Sequence, residues 1–334
     1  MKLQLMIDNG ENILIPEIQD NVIVEWERTG MAGRLTFTAL VDKKLKLKEG
    51  NAVTLRVNKK AFFLGYIFSI NQIEKNKVNI TCYDQLRYLK NQESYVFENK
   101  TATEIIQKIA KDFKISCGKL ADTKYKFESY TKDNVQLFDI IQDALQETSI
   151  KKGIRYVLYD EVGKLRLKSE NDMNLNLLID EETAQTYSYV SSIDNETYNK
   201  IKVIKEGKNV GNINISTIKQ KVLNRRVYVA QDKKNMAKWG TLQLVEKIDK
   251  DSNGSDRAKK LLQKYNKPRK NLQISGAIGD IRVRAGSRVG VVLKSIVENN
   301  AKKLIYLRVE NVKHTFSGDH HTMDLQLKGR GFST

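Results

Sequence analysis

Gly279-Asp280-Ile281-Arg282-Val283-Arg284-Ala285-Gly286-Ser287-Arg288-Val289 is the stretch on which the reading of this chain turns. Ile281, Val283 and Ala285 alternate with Arg282 and Arg284. That is the two-residue period of a half-buried strand, so one face is expected to pack and the other to carry arginine. Further on, Ile305, Leu307 and Val309 alternate with Tyr306, Arg308 and Glu310. Ser317-Gly318-Asp319 then supplies turn chemistry, and Met323, Leu325 and Leu327 repeat the alternation on the return. The end of the chain is therefore expected to be β-sheet closing in a hairpin.

Upstream, residues 1–97 read as all-β. Leu3/Leu5/Ile7, Val22/Val24/Trp26, Leu35/Phe37, Val53/Leu55/Val57 and Val78/Ile80/Cys82 alternate, with Asn9-Gly10, Thr29-Gly30 and Glu49-Gly50 as punctuation. A small barrel or sandwich is expected. At Thr101-Ala102-Thr103-Glu104 the pattern changes to a capping box followed by Ile105, Ile106, Ile109, Ala110 and Phe113, which starts a helix. A second helix follows Asp133-Asn134, with Leu137, Phe138, Ile141, Ala144 and Leu145 on one side. Gly153 to Leu167 reads as a hairpin about Glu161-Val162-Gly163, and strand character returns at Tyr198 to Val203. A helix over Ser255 to Tyr265 is stopped near Pro268. The expected domains are β over 1–97, an α/β insert over 98–190 and β again over 191–334.

The charge is concentrated. The chain of 334 residues carries a formal net charge of +18, of which residues 191–334 hold +17, against +3 for 1–100 and −2 for 101–190. A one-sided field of this kind attracts an anionic partner, although solubility alone also calls for net charge. Cys82 and Cys117 are the only cysteines and neither belongs to a CxxC pair, which excludes a disulfide framework and a cysteine-rich metal site. The longest apolar run, Ala61 to Ile70, is too short to span a bilayer, and the N-terminus meets Asp8 before a signal-peptide core forms. Neither export nor a membrane anchor is expected. Pro16 and Pro268 are the only prolines and no stretch is low in complexity, so domains should join through short ordered connections.

Catalytic equipment is hard to find. Neither a Walker A sequence nor a GxGxxG motif is present. Glu25 and Glu27 flank Trp26 on one strand face and could form a glycosidase pair, but adjacent surface carboxylates are the commoner reason for that spacing. His314, His320 and His321 sit across the last hairpin, where two imidazoles could bind zinc or simply pair across strands. Ser287 and Ser333 have no recognisable base and orienter. Trp239 with Lys233, Lys234 and Lys238 is a weak basic-aromatic cluster, and no helix-turn-helix, zinc-finger or RNA-binding signature accompanies it. No enzyme activity, cofactor or metal is expected. Lys267, Arg269, Lys270, Arg282, Arg284 and Arg288 remain as a basic face for a partner.

One ordered set of segments runs through nearly the whole chain: Phe62 to Ile67, Tyr83 to Leu89, the helix from Thr101 to Phe113, Asp194 to Asn199, Ala258 to Leu262, Gly279-Asp280 with Ala285-Gly286, then His314 to Phe316 and His320 to Met323. In this order the chain resembles the baseplate hub proteins of contractile phage tails and phage-tail-like bacteriocins (tailocins), the late control protein D group. The resemblance implies a mainly β protein with two tube-protein-like β-barrel domains separated by an α/β region. It implies a homotrimer acting as a symmetry adaptor between the hexameric tail tube protein and the trimeric spike protein, with the C-terminal end of the tape-measure protein and other baseplate proteins as further partners. Such a protein would occupy the bacterial cytoplasm during assembly and then a virion or bacteriocin particle released by lysis. The alternatives are a basic nucleic-acid-binding protein, which sequence preference or saturable stoichiometry would favour, and a cell-wall-degrading tail component, against which the lack of a domain beyond Thr334 is expected to count.

Overall fold

The computed structural model describes residues 1–19, 21–40, 47–215, 218–248, 253–292 and 304–329, with side chains throughout these apart from 206–225. Ser333 lies outside the described residues. The chain divides into two compact units: Met1–Tyr189 with Asn271–Thr334, and Val190–Lys270. Residues 191–334 are therefore divided between the two units.

The first unit is mainly β. Its large sheet runs, in spatial order, through Thr186–Ser192, Arg269–Ile278, His320–Lys328, Ile305–Ser317, Val22–Glu27, Arg34–Leu40, Lys77–Tyr83, Lys60–Glu74, Ala52–Val57, Leu3–Asp8 and Ile13–Leu14. The alternating apolar residues of the N-terminal strands all point inward: Leu5, Ile7, Val24, Leu35, Phe37, Val53, Leu55 and Ile80 are at most 2% exposed. The closure is non-local. Asn311 to Phe316 pairs antiparallel with Glu27 back to Val22, so the last hairpin is zipped to a strand near the N-terminus. Leu307, Val312 and Leu325 consequently share one core with Val24 and Phe37, each such side chain contributing about 1.5–3 kcal/mol over exposure to water.

The insert has its own core. The helix α1, Ala102–Asp112, begins as its sequence requires: the Glu104 N–H donates to Thr101 Oγ1 at 3.2 Å and the Thr101 N–H to Glu104 Oε2 at 2.8 Å. α2, Leu137–Lys152, starts later than Asp133-Asn134 because the strand Lys126–Gln136 runs up to it, paired with Gln92–Thr101. Ile105, Ile109, Phe138, Ile141 and Leu145 fill the space between the helices and the hairpin Tyr156–Asp160 and Leu165–Ser169.

The opening stretch behaves differently from expectation. Gly279 to Ser287 is not a strand but a pair of turns, followed by the strand Arg288–Val292. The Val283 N–H donates to the Asp280 carbonyl, the Ser287 N–H to the Arg284 carbonyl, and the Arg284 N–H to Ser287 Oγ. Gly286 takes φ +93° with Val157 packed where a side chain would stand, a position closed to other residues. Val283 and Ala285 are buried as plugs of a folded loop, so the same alternation arises without extended backbone.

The second unit is a three-stranded sheet and two helices. Lys200–Ile215 pairs antiparallel with Ile218–Gln231 and parallel with Gln243–Ile248. α3 spans Lys233–Trp239 and α4 spans Gly254–Tyr265, close to the expected Ser255 to Tyr265. α4 packs on one face of the hairpin, with Ala258 and Leu261 buried and Arg257 paired to Glu246 at 2.6 Å.

Candidate functional site

The most unusual cluster of side chains in the first unit joins the sheet to the insert. Asp84, 1% exposed, caps the short 3-10 helix Gln85–Lys90 by accepting from the Leu86 N–H at 3.0 Å, and its other oxygen accepts from the Gly33 N–H at 3.0 Å. Gly33 is required at that point: a Cβ there would stand 2.3 Å from Asp84 Oδ2 and 2.5 Å from Trp26 Nε1. Asp160, at the end of an insert strand, accepts from Gln85 Nε2 at 2.7 Å and from the Gly163 N–H at 2.8 Å. Arg284 from the double turn lies 4.3 Å over the Tyr159 ring and 5.2 Å from the Trp26 ring.

Burial, and then the neighbouring charge of Asp160, raises the Asp84 carboxyl well above the usual carboxylate range; burial pushes Asp160 up to about 6. Burial lowers the Arg284 guanidinium while Tyr159, Asp160 and Asp84 oppose that shift. A cavity of about 10 Å³ borders Trp26, Gly33, Tyr159, Asp160 and Arg284, room for about one water molecule. The cluster ties together the sheet, the short 3-10 helix and the insert strand that supply it. A second ion cluster lies nearby: Arg28 donates to Glu310 at 2.9 Å, Arg308 pairs with Glu310, and Arg308 reaches Glu170 of the insert at 2.9 Å. Burial alone would raise Glu310, but Arg308 and Arg28 hold it below its ordinary value. A register shift between Val309 and Asn311 turns Glu310 inward, which strict alternation conceals.

Two of the three histidines hydrogen-bond to each other. His314 Nε2 lies 3.0 Å from the Val283 carbonyl, which can only accept, so that nitrogen carries the proton and Nδ1 accepts from His321 Nε2 at 2.9 Å. Burial, reinforced for His314 by His321, lowers the two imidazoles to about 3 and about 4. His320 is exposed at the turn. Among the described residues no three His, Cys, Asp or Glu side chains converge as a metal site. Glu25 is ion-paired to Arg34 and faces Lys313 across the sheet; Glu27 is raised by burial and by Glu310. They line a shallow groove of about 500 Å³ with Arg34, Asn311, Lys313 and Asp324.

The six basic residues expected as one face divide between the units. Arg282, Arg284 and Arg288 belong to the first, and Lys267, Arg269 and Lys270 to the second. Arg282 is exposed and held by the Asp280 carboxylate. Arg284 is occupied inside the clamp. Arg269 pairs with Glu196 at 3.1 Å and lies over Tyr265. Trp239 and its lysines lie on α3, with Trp239 partly buried. The clamp escaped sequence reasoning because Asp84, Asp160 and Arg284 are far apart in the chain; the only local signals were Asp84 before a short helix and the arginine among buried turn residues.

Fold comparison places this architecture among phage tail proteins. A tail protein from Neisseria meningitidis MC58 superposes with a TM-score of 0.69 over 99% of this chain and 98% of its own, at 11% identity. An Escherichia coli component of the type VI secretion system, itself structurally similar to the T4 bacteriophage tail proteins gp27 and gp5, gives a TM-score of 0.56 over 100% of this chain and 77% of its own, at 10% identity. The chain belongs to the YqbQ-like family, whose model matches residues 22–328. It is 31% identical over 287 residues to the phage-like element PBSX protein XkdQ of Bacillus subtilis strain 168, covering 84% of this chain and 82% of XkdQ.

Proposed function

We propose that this protein is a structural baseplate hub of a contractile tail or injection particle, a homotrimer on the tail axis that joins the hexameric tube to the trimeric spike. On this reading the β modules of three copies together present six similar barrel-like surfaces to the tube. The tape-measure C-terminal end and other baseplate proteins are its further neighbours. The chain acts without catalysis or cofactor, is assembled in the bacterial cytoplasm and leaves in a phage or bacteriocin particle upon lysis.

The observation that carries the reading is end-to-end agreement of fold with a tail protein, combined with kinship to a phage-element protein. The geometry supports it physically. A coupler must transmit force without opening, and zipping the C-terminal hairpin to a strand near the N-terminus, with charge clusters tying the insert on, resists that opening. Lys267, Arg269, Lys270, Arg282 and Arg288 are proposed to face acidic neighbours, whereas Arg284 serves the interior. Mass photometry of the purified chain, alone and with candidate tube and spike proteins, tests the role: three copies per complex are expected, and a chain that stays monomeric in the presence of both partners contradicts it.

A further inference from the structure

The second unit has an apolar sheet face that its own helix leaves open. α4 packs on the side of the sheet that carries Ile201, Val203, Tyr228 and Glu246; Ile201 and Val203 are 0% exposed. Register fixes the opposite face. One row across the three strands is Val229, Lys202 and Val245, and the next is Val227, Ile204 and Lys247. Val227 is 49% exposed, Val229 53% and Val245 49%. A sheet with one face against a helix ordinarily turns polar side chains outward; the row Gln231, Lys200 and Gln243 follows that pattern, while four β-branched aliphatics among the six positions of the two rows beside it depart from it. Such a patch marks an interaction surface.

The charge around the patch states what fits it. Residues 190–270 contain 20 Lys and Arg against 8 Asp and Glu, a net +12 in the smaller unit. The two rows hold two lysines and no carboxylate. Lys202 stands between Val229 and Val245, where its aliphatic stem extends the apolar surface and its ammonium tops it. A second copy presenting the same face would bring together two surfaces of the same sign, which opposes self-pairing. A nucleic acid would find phosphate donors only in the lysines, and the valines at the centre offer it neither donor nor stacking surface.

We infer that the open face of this three-stranded sheet docks an acidic segment of another protein, one that alternates carboxylates with aliphatic side chains. That the partner is a tail component rests on the role proposed above; the chemistry of the surface does not. The valines supply the dry centre and Lys202, within the net +12 of this unit, selects the sign, which is the usual division between an apolar core and a charged rim.

The test uses the full chain and a short fluorescein-labelled peptide of alternating glutamate and valine, followed by anisotropy. Binding should weaken as salt is raised and should fall by about tenfold or more both in Lys202→Glu and in the double variant V229T/V245T, which keeps β-branching. A glutamate-only peptide of equal charge should bind at least about tenfold more weakly than the alternating one. Equal affinity of V229T/V245T and the parent for the alternating peptide, with both giving the same circular dichroism, would overturn the assignment. So would sedimentation showing that the parent self-associates and the double variant does not, since the occupant would then be a second copy. Weakening of single-stranded oligonucleotide binding by V229T/V245T as large as that of the peptide would overturn it in favour of nucleic acid. Because this readout involves no assembly, its failure is separate from failure of the hub role.

Discussion

Replacing Arg284 with methionine should cost the first unit most of its margin of stability, and the cost should grow with pH. The substitution keeps an apolar stem but leaves Asp84 and Asp160 buried without their shared cation. Removing one partner from a buried ionic cluster costs about 3–5 kcal/mol, and losing the contact with Tyr159 at 4.3 Å adds about 1 kcal/mol. In the parent, burial already holds Asp160 at about 6, above its ordinary carboxylate value, so the folded state binds that proton more tightly than the unfolded chain. Stability linked to Asp160 is therefore fully present below the unfolded value and is lost as pH rises through about 6, by at most about 3 kcal/mol. Without Arg284 both carboxyls rise further and the loss extends to higher pH. Urea unfolding followed by Trp26 fluorescence in a Trp239→Phe background reads this unit, because those are the only tryptophans. The midpoint should fall by more than about 1 M at pH 8 and by clearly less at pH 5. A midpoint within about 0.3 M of the parent at pH 8, or an equal fall at both pH values, would refute the assigned role of the clamp.

The histidine pair should act in the opposite direction. Both imidazoles have folded values below the unfolded one, so the stability they contribute is present above about 6.5 and is lost as pH falls towards about 4 and 3; a His314→Phe, His321→Phe variant should show a flatter acid limb in thermal melts between pH 7 and 4. Gly33→Ala should lower the melting temperature strongly because its Cβ meets Asp84 and Trp26, whereas Gly50→Ala, with nothing within 4 Å but φ +88°, should cost only about 1 kcal/mol. Thr101→Ala removes one half of the capping box and should cost about 1 kcal/mol in urea melts. Arg282→Glu with Arg288→Glu should leave the circular dichroism of the isolated chain unchanged and lower its melting only modestly, through loss of the exposed Asp280 pair, while reducing its incorporation into complexes with tube and spike proteins.

Much of the fold is legible in the chain because its strands are two-sided. Val22, Val24 and Trp26 read as a strand and are one, and Thr101 to Glu104 announces its helix through side chains that bond their own backbone. Long-range closure is a different matter. Nothing local to Val312 says that it pairs with Trp26, since register between distant strands is set by packing after both have formed. The misread stretch at Ile281 to Ala285 shows the limit of periodicity: two turns can bury Val283 and Ala285 as well as a strand can. The same limit hid the clamp, because an arginine drawn over Tyr159 towards two distant aspartates looks, in one dimension, like one in water. In the second unit Tyr198 to Val203 showed strand character, but the extent of the hairpin to Ile215 and back did not show, because its lysines and asparagines give no alternation.

The role on the tail axis is tested most directly by a cryo-electron microscopy reconstruction of the chain assembled with its candidate tube and spike proteins. The account predicts density for three copies in a ring between a sixfold tube and a threefold spike. Density for the chain anywhere off the axis, or in any number other than three at that junction, would contradict it.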